Sequence, residues 1–473
     1  MVNRTMFGLS AVQRQSLVIS LTAFFTSLLL IALVSVLLLI SFRGTAYFWP
    51  EPIYTVNGTH QDGTAFSVLA NVFDDPSNED VTLNYSDTQH PYGFQIQLSR
   101  ENLSSTLLAK DSADIKLLDG RRVLAIPEYI VVPSKPPQTL DKIDAVIEEV
   151  AQISAQIEDL NTRHLAPIHE ALSQFDKRNV VADAPARERL VASFNEYQKR
   201  VEALEVTRAE YTLLVSFADG TPFVIPISSI QDVDFVSRLS TMEKWQVVFS
   251  EIGVFLTDSP KQANTSGGVF PALFGTVLMV FLMTIIVTPF GVLAAIYLSE
   301  YAPNTALTTI IRVSVSNMAG VPSIVYGVFG LGFFVYTLGG SIDELLFSDT
   351  LPAPTMGSPG VFWAAPIASP GIMTGVILAI ARAAGEVAPL MLVGAVKFAP
   401  TLPIDGEFPY LHLDRQFMHL GVLIYDGAFH SQTDGKSASM MFAACLLLLV
   451  VVFVLNILAV VLRARLRKRY LKG

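Results

Sequence analysis

Apolar and polar positions are unevenly distributed along this chain. Leu17–Ile40 is an uncharged apolar run of 24 residues, with Arg4 and Arg14 before it. It is too long for the apolar part of a cleaved leader. The spacing predicts a signal-anchor transmembrane helix over residues 1–40 with its N-terminus in the cytoplasm, because Lys and Arg beside a span favour that side. Four more runs lie beyond residue 250: Val269–Leu298, Val313–Leu338, Gly371–Val396 and Ser439–Leu462. Each has the roughly 20 apolar residues that a crossing needs. Only the third of these four carries charge, at Arg382 and Glu386, and it also holds Pro389.

Between the first and second runs the pattern changes. Thr64–Phe73 and Tyr92–Ser99 are rich in β-branched and aromatic residues between Asp, Asn, Pro and Gly clusters, which predicts strands. Ile143, Val146, Val150, Ile153, Ile157 and Leu160 then recur at alternating spacings of 3 and 4. Leu190, Phe194, Tyr197, Val201 and Leu204 do the same. Two such stripes predict a helical hairpin over 141–206, with Pro185 starting its second arm. Strands return around Asp219-Gly220, a dipeptide suited to a tight turn. Residues 41–250 thus read as an α+β domain outside the membrane, on the periplasmic side, and 251–473 as the transmembrane domain.

Counting the runs exposes a conflict. Five crossings place the two termini on opposite faces, yet both are basic, and Arg463, Arg465, Arg467, Lys468, Arg469 and Lys472 form the strongest positive cluster in the chain. That cluster favours the cytoplasm. The linker Gly339–Gly360 reads as outside, which suits Asp343, Glu344 and Asp349. The chain should recross before Gly371, but only Val361–Ile367 is available, and seven residues are too few. Phe362–Ala365 therefore reads as a seam where a span is missing.

Composition narrows the function classes. The chain is 51% hydrophobic and 16% charged, as expected of a polytopic membrane protein with one large polar domain. Its net charge of −10 argues against a nucleic-acid partner. The single cysteine, Cys445, lies in an apolar run and excludes an internal disulfide. The histidines show no metal-ligand spacing, and Asp434–Ser439 lacks the glycine that a phosphate loop requires, so no cofactor is expected on this chain.

Four segments, Ala294–Pro303, Asn317–Gly332, Pro370–Pro400 and Phe408–Asp426, resemble the PstA-type permease subunit of phosphate ABC importers. The resemblance covers most of the chain from Phe270 onward and implies a polytopic α-helical permease fold. It implies that the chain is a transport subunit in the bacterial inner membrane, with phosphate as substrate and lipid around it. It also implies three partners: a second permease subunit, a cytoplasmic ATPase dimer and a periplasmic phosphate-binding protein. The chain itself would not be an enzyme. The polar domain resembles the long N-terminal extension of some members. One departure stands out: between Trp363 and Ile372 nothing resembles the family's further span and ATPase-docking loop. A coupling-deficient sensor or scaffold on the same membrane base is the alternative reading.

Arg382 and Glu386 carry the candidate chemistry. Four residues apart, they share a face of a helix. Ionisable groups in an apolar run are costly and usually face a bundle interior. Arg382 offers a planar fork of donors to phosphate oxygens, and Glu386 keeps the site from holding the anion too tightly; the resemblance assigns both to the phosphate path. The competing reading is an ion pair that satisfies only itself. Gly320, Pro322, Ser323 and Tyr326, followed by Gly327, could break a helix and line the path. Helix packing through small residues, with a kink at Pro322, is the favoured reading of these.

Overall fold

The computed structural model describes residues 11–59, 63–74, 80–178, 184–261, 266–318, 320–348, 353–367, 385–406, 408–429 and 435–470. The chain divides into two compact units, Met1–Trp49 with Glu251–Gly473, and Pro50–Ser250. The first begins with α1 (Ala11–Ala46), a 36-residue helix that continues six residues past the apolar run. Its leucines, valines and phenylalanines are exposed, the environment of a helix surrounded by lipid.

The Pro50–Ser250 unit combines two antiparallel sheets with long helices. Strands β1 (Tyr54–Thr59), β2 (Ala65–Asp74), β3 (Asp80–Ser86), β4 (Phe94–Ser99) and β5 (Leu103–Leu108) form one sheet in the order β4-β3-β2-β1-β5. Then β6 (Ala113–Leu117) and β7 (Arg122–Val131) precede a helical insertion of α2 (Ile143–Asp159), a π-helical stretch Leu160–Leu165, α3 (Ala166–Arg178) and α4 (Ala184–Ala209). After it come β8 (Thr212–Ser216), β9 (Pro222–Pro226) and β10 (Ile230–Asp234), which complete a second sheet in the order β10-β6-β7-β8-β9. Gly220, at φ 80°, makes the turn between β8 and β9. The apolar stripe of α2 does not spend itself on the hairpin partner. Ile143, Val146 and Val150 are buried with Ile115, Ile130, Leu213 and Ile225 of the second sheet. Burial of such a side chain contributes about 1.5–3 kcal/mol, so the sheet fixes the start of the helix. Further along, His164 stacks on Tyr197 of α4 at 4.4 Å.

After α5 (Thr241–Thr257) and a short hairpin of β11 (Pro260–Lys261) and β12 (Ser266–Gly267), the chain enters α6 (Phe270–Ile296). A π-turn follows at Tyr297–Tyr301, then α7 (Ala306–Met318). The expected span Val313–Leu338 is not a single helix. It is broken at Pro322, whose backbone is extended (φ −56°, ψ 133°), and the chain restarts in α8 (Ser323–Phe329). Helix continues through a π-helical Gly330–Gly339 into α9 (Gly340–Leu346), so the long element is Ser323–Leu346. Proline lacks an N–H and clashes with the preceding turn, which fixes the break here.

The remaining elements are α10 (Val361–Ile367), α11 (Ala388–Val393), β13 (Ala395–Val396), β14 (Phe417–Met418), α12 (Leu420–Phe429) and α13 (Gly435–Tyr470). Among the described residues, four helices are long and apolar enough to cross a membrane: Gln15–Ala46, Phe270–Tyr301, Ser323–Leu346 and Ser439–Val461. The fifth expected span, Gly371–Val396, falls largely outside the described residues. Its end corrects the expectation: the helix stops at Val393, and Gly394 takes φ 152° before β13. The supposed seam is itself packed helix, with Val361, Ala364 and Ala365 fully buried alongside α6 residues Met279 and Met283.

Candidate functional site

Two layers of contacts build the interior of the membrane unit. In the first, Met279, Met283, Val361, Leu390, Phe417 and Val422 form an apolar cluster between α6, α10, α11 and α12. Close approach is possible because glycines face the neighbouring elements. A Cβ at Gly327 would lie 2.7 Å from Cα of Pro389, and one at Gly330 would lie 2.5 Å from Ile367. The break after α7 thereby brings the first turns of α8 against the start of α11. Tyr326 is next to this contact. Gly320 and Pro322 are exposed, and Ser323 is half-buried.

Glu386 sits two residues before α11, only 9% exposed. It lies outside a regular helix, so the expected uninterrupted helical face through this residue is not formed at its C-terminal end. Arg382 lies outside the described residues. Val387 packs on Gly421, where an added Cβ would meet the Val387 side chain at 2.6 Å and the His419 ring at 3.2 Å. Thus Val387 and His419 converge on the start of α12.

Three polar residues here were not singled out from the sequence. His419 is fully buried. Its Nδ1 accepts the Gly421 N–H at 3.1 Å, which leaves the ring proton on Nε2, and among the described residues Nε2 has no hydrogen-bond acceptor. Thr276 is also fully buried. Its hydroxyl donates to the Ala272 carbonyl at 2.7 Å and accepts the Leu420 N–H at 2.9 Å, so it ties α12 to α6. Asp343, expected in an exposed linker, is 1% exposed. Its carboxylate accepts from the backbone N–H groups of Thr355, Met356 and Gly357 and from the Thr355 hydroxyl, and Trp363 Nε1–H donates to the Met356 carbonyl at 2.7 Å. No spacing rule marks a lone His or Asp as buried, because burial here depends on contacts far along the chain.

The second layer is the connection between β13 and α12. Asp405 accepts from Arg415 and lies 2.9 Å from His412 Nε2, while Arg415 also donates to the Leu402 carbonyl at 2.9 Å. Lys397 pairs with Asp426 at 2.8 Å. These contacts fix the loop between β13 and α12. A buried carboxylate in a membrane protein is costly, and such groups concentrate along substrate and ion pathways.

No family model matches the chain, and no solved structure matches it. Curated relatives do. The "Phosphate transport system permease protein PstA 1" of Mycobacterium tuberculosis is 28% identical, with 42% of this chain and 71% of the relative covered. "Phosphate transport system permease protein PstA" of Yersinia pestis is 29% identical over 45% of this chain and 78% of its own length. The Pasteurella multocida protein of the same name is 28% identical, with shares of 44% and 79%. The alignment with the M. tuberculosis protein extends over 229 positions, yet 42% of 473 residues is about 199. With the Y. pestis protein it extends over 247, against about 213 residues of this chain. In each case this chain is about 30 residues short of the aligned length.

Proposed function

With the chain a PstA-type phosphate permease by sequence, we propose that it is the membrane-spanning subunit of an ATP-driven inorganic phosphate importer in the bacterial inner membrane. On this reading it forms part of the translocation path. A second permease subunit completes that path, a cytoplasmic ATPase dimer hydrolyses the nucleotide, and a periplasmic binding protein delivers phosphate. The chain binds no cofactor and is not an enzyme. Residues 41–250 are its periplasmic domain.

The observation that carries the reading is the burial of Glu386, only 9% exposed, in the part of the chain that resembles the permeases. Arg382, four residues earlier, supplies the anion-binding fork. Tyr326 and Ser323 lie on the neighbouring element at the Gly327–Pro389 contact, which supports them as lining; Gly320 and Pro322 supply the break. Phosphate uptake is the test, in cells whose own permease is deleted and in which this chain is co-expressed with the other subunits. Uptake above the empty-vector level is expected, with a loss of tenfold or more in Arg382→Ala. Full uptake in Arg382→Ala removes that residue from the path.

A second reading is favoured by the shortfall of about 30 aligned residues. Here the chain assembles with the importer but is not coupled to ATP, and serves as a membrane-anchored sensor or scaffold. Absence of uptake, restored by inserting the corresponding residues of a relative after Ala365, supports this second reading over the first.

A further inference from the structure

We infer that Gly360 and Gly394 lie at one face of the membrane, so that the chain between them adds no net crossing, the whole makes four net crossings and its C-terminus shares a side with the N-terminus of α1. The inference rests on which ends touch and is independent of what the chain transports.

Gly360 and Gly394 flank the two arms, and they are in contact. A Cβ on Gly394 would lie 2.9 Å from the backbone N, C and O of Gly360. A single layer of backbone hydrogen bonds surrounds them. The Val361 N–H donates to the Arg415 carbonyl at 3.1 Å, the Phe362 N–H to the Leu413 carbonyl at 3.0 Å, and the Phe417 N–H to the Gly394 carbonyl at 3.1 Å. The chain therefore enters α10 and leaves α11 at the same level.

From that level both arms run along Ser323–Leu346, in opposite directions. Near the layer, Gly339 lies against the Met356 carbonyl that Trp363 holds. Deeper, Ile367 contacts Gly330 and Pro389 contacts Gly327. Ile367 is the last described residue of the first arm, and Pro389 lies in the first turn of α11.

The same layer marks one face for the other helices. Gly275, in the second turn of α6, lies against the Met418 carbonyl. The Val269 N–H, just before α6, donates to the Phe255 carbonyl at 2.8 Å, and the Phe255 ring lies 5.2 Å from that of Phe48, just past α1. At Gly44, near the end of α1, an added Cβ would meet Phe442 and Leu446, near the start of α13. Further on, Val452, Leu455 and Ala459 of α13 pack on the cluster containing Met279 and Met283. Helix α13 therefore runs alongside α6, away from this face, and opposite to α1. The basic tail from Arg463 ends where the positive-inside rule puts it, and the conflict of an odd span count disappears.

Single-cysteine labelling of the full chain in a Cys445→Ala background tests this. Pro354→Cys and Phe398→Cys are expected to react with a membrane-impermeant maleimide from outside intact cells. Asn304→Cys and Gly473→Cys are expected to react only after permeabilisation. A fluorescent protein fused to the unaltered C-terminus should fluoresce, and alkaline phosphatase fused there should be inactive. Opposite accessibility of positions 354 and 398 overturns the shared face of Gly360 and Gly394. Outside labelling at 473, or an active phosphatase fusion, overturns the four-crossing count.

Discussion

Asp343 and Thr355 are bonded twice: the carboxylate accepts the Thr355 hydroxyl at 2.6 Å and its backbone N–H at 3.0 Å. With the N–H groups of Met356 and Gly357 added, a carboxylate at the end of one membrane helix organises the strand of chain that leads into the next.

Removing that carboxylate leaves three half-buried N–H groups without their acceptor. A fully buried orphan costs about 1–3 kcal/mol, and water reaches these three in part, so Asp343→Ala should destabilise the membrane unit by about 2 kcal/mol. Asp343→Asn retains one carbonyl acceptor and should fall between the two. Thermal unfolding in detergent, followed by near-UV circular dichroism, reads the difference. Equal melting of Asp343→Ala and the wild type would mean that the segment 355–357 is held by other contacts.

Gly394 combines a positive φ of 152° with contact to the Gly360 backbone. A side chain there is strained in conformation and has no space, which together cost about 2–4 kcal/mol. Gly394→Ala should lower the melting temperature and the yield of folded protein. Gly332→Ala, where an added Cβ meets nothing within 4 Å, serves as the matched control.

If Glu386 belongs to the path, its charge matters more than its volume. Glu386→Gln should then reduce phosphate uptake by tenfold or more while the protein still inserts and melts within a few degrees of the wild type. Glu386→Asp should retain part of the activity. Equal loss of folding and uptake in Glu386→Gln would assign the residue to packing alone.

In the Pro50–Ser250 unit, the hydrogen bond from the Thr221 side chain, then that from its backbone N–H, holds the Asp219 carboxyl below the ordinary range. A lowered folded pKa adds stability above the unfolded value, and that contribution is lost as pH falls through the folded one. Thr221→Val should therefore melt below the wild type at neutral pH, with the gap closing as the pH falls below the normal aspartate range. Asp219 is exposed, so the effect should be modest. A gap that widens in acid would contradict it.

Periodicity and local turn chemistry made much of the chain legible. The run Thr64–Phe73 coincides with β2, Tyr92–Ser99 contains β4, and Asp219-Gly220 lies in the turn before β9. Uncharged length alone located α1, α6 and α13. What failed was anything decided by contacts between distant residues. Asp343 looked like a solvent-exposed linker residue because its partners lie 12–14 positions away in a separate segment. His419 gave no signal because its burial arises only in the folded chain, where its ring and the Val387 side chain both close on Gly421. The run Gly371–Val396 overshot the helix end at Gly394, because an apolar run says how long a segment is but not where a backbone contact stops the helix.

The contact between Gly360 and Gly394 also limits how this sequence can drift. At Gly394 two unrelated requirements, torsion and clearance, exclude every other residue, so genetic variants there should be purged even where the membrane tolerates almost any apolar substitution. Gly332 and Gly340 face open space and should accumulate alanine and serine freely. A survey of natural alleles would show the asymmetry without any assay of transport.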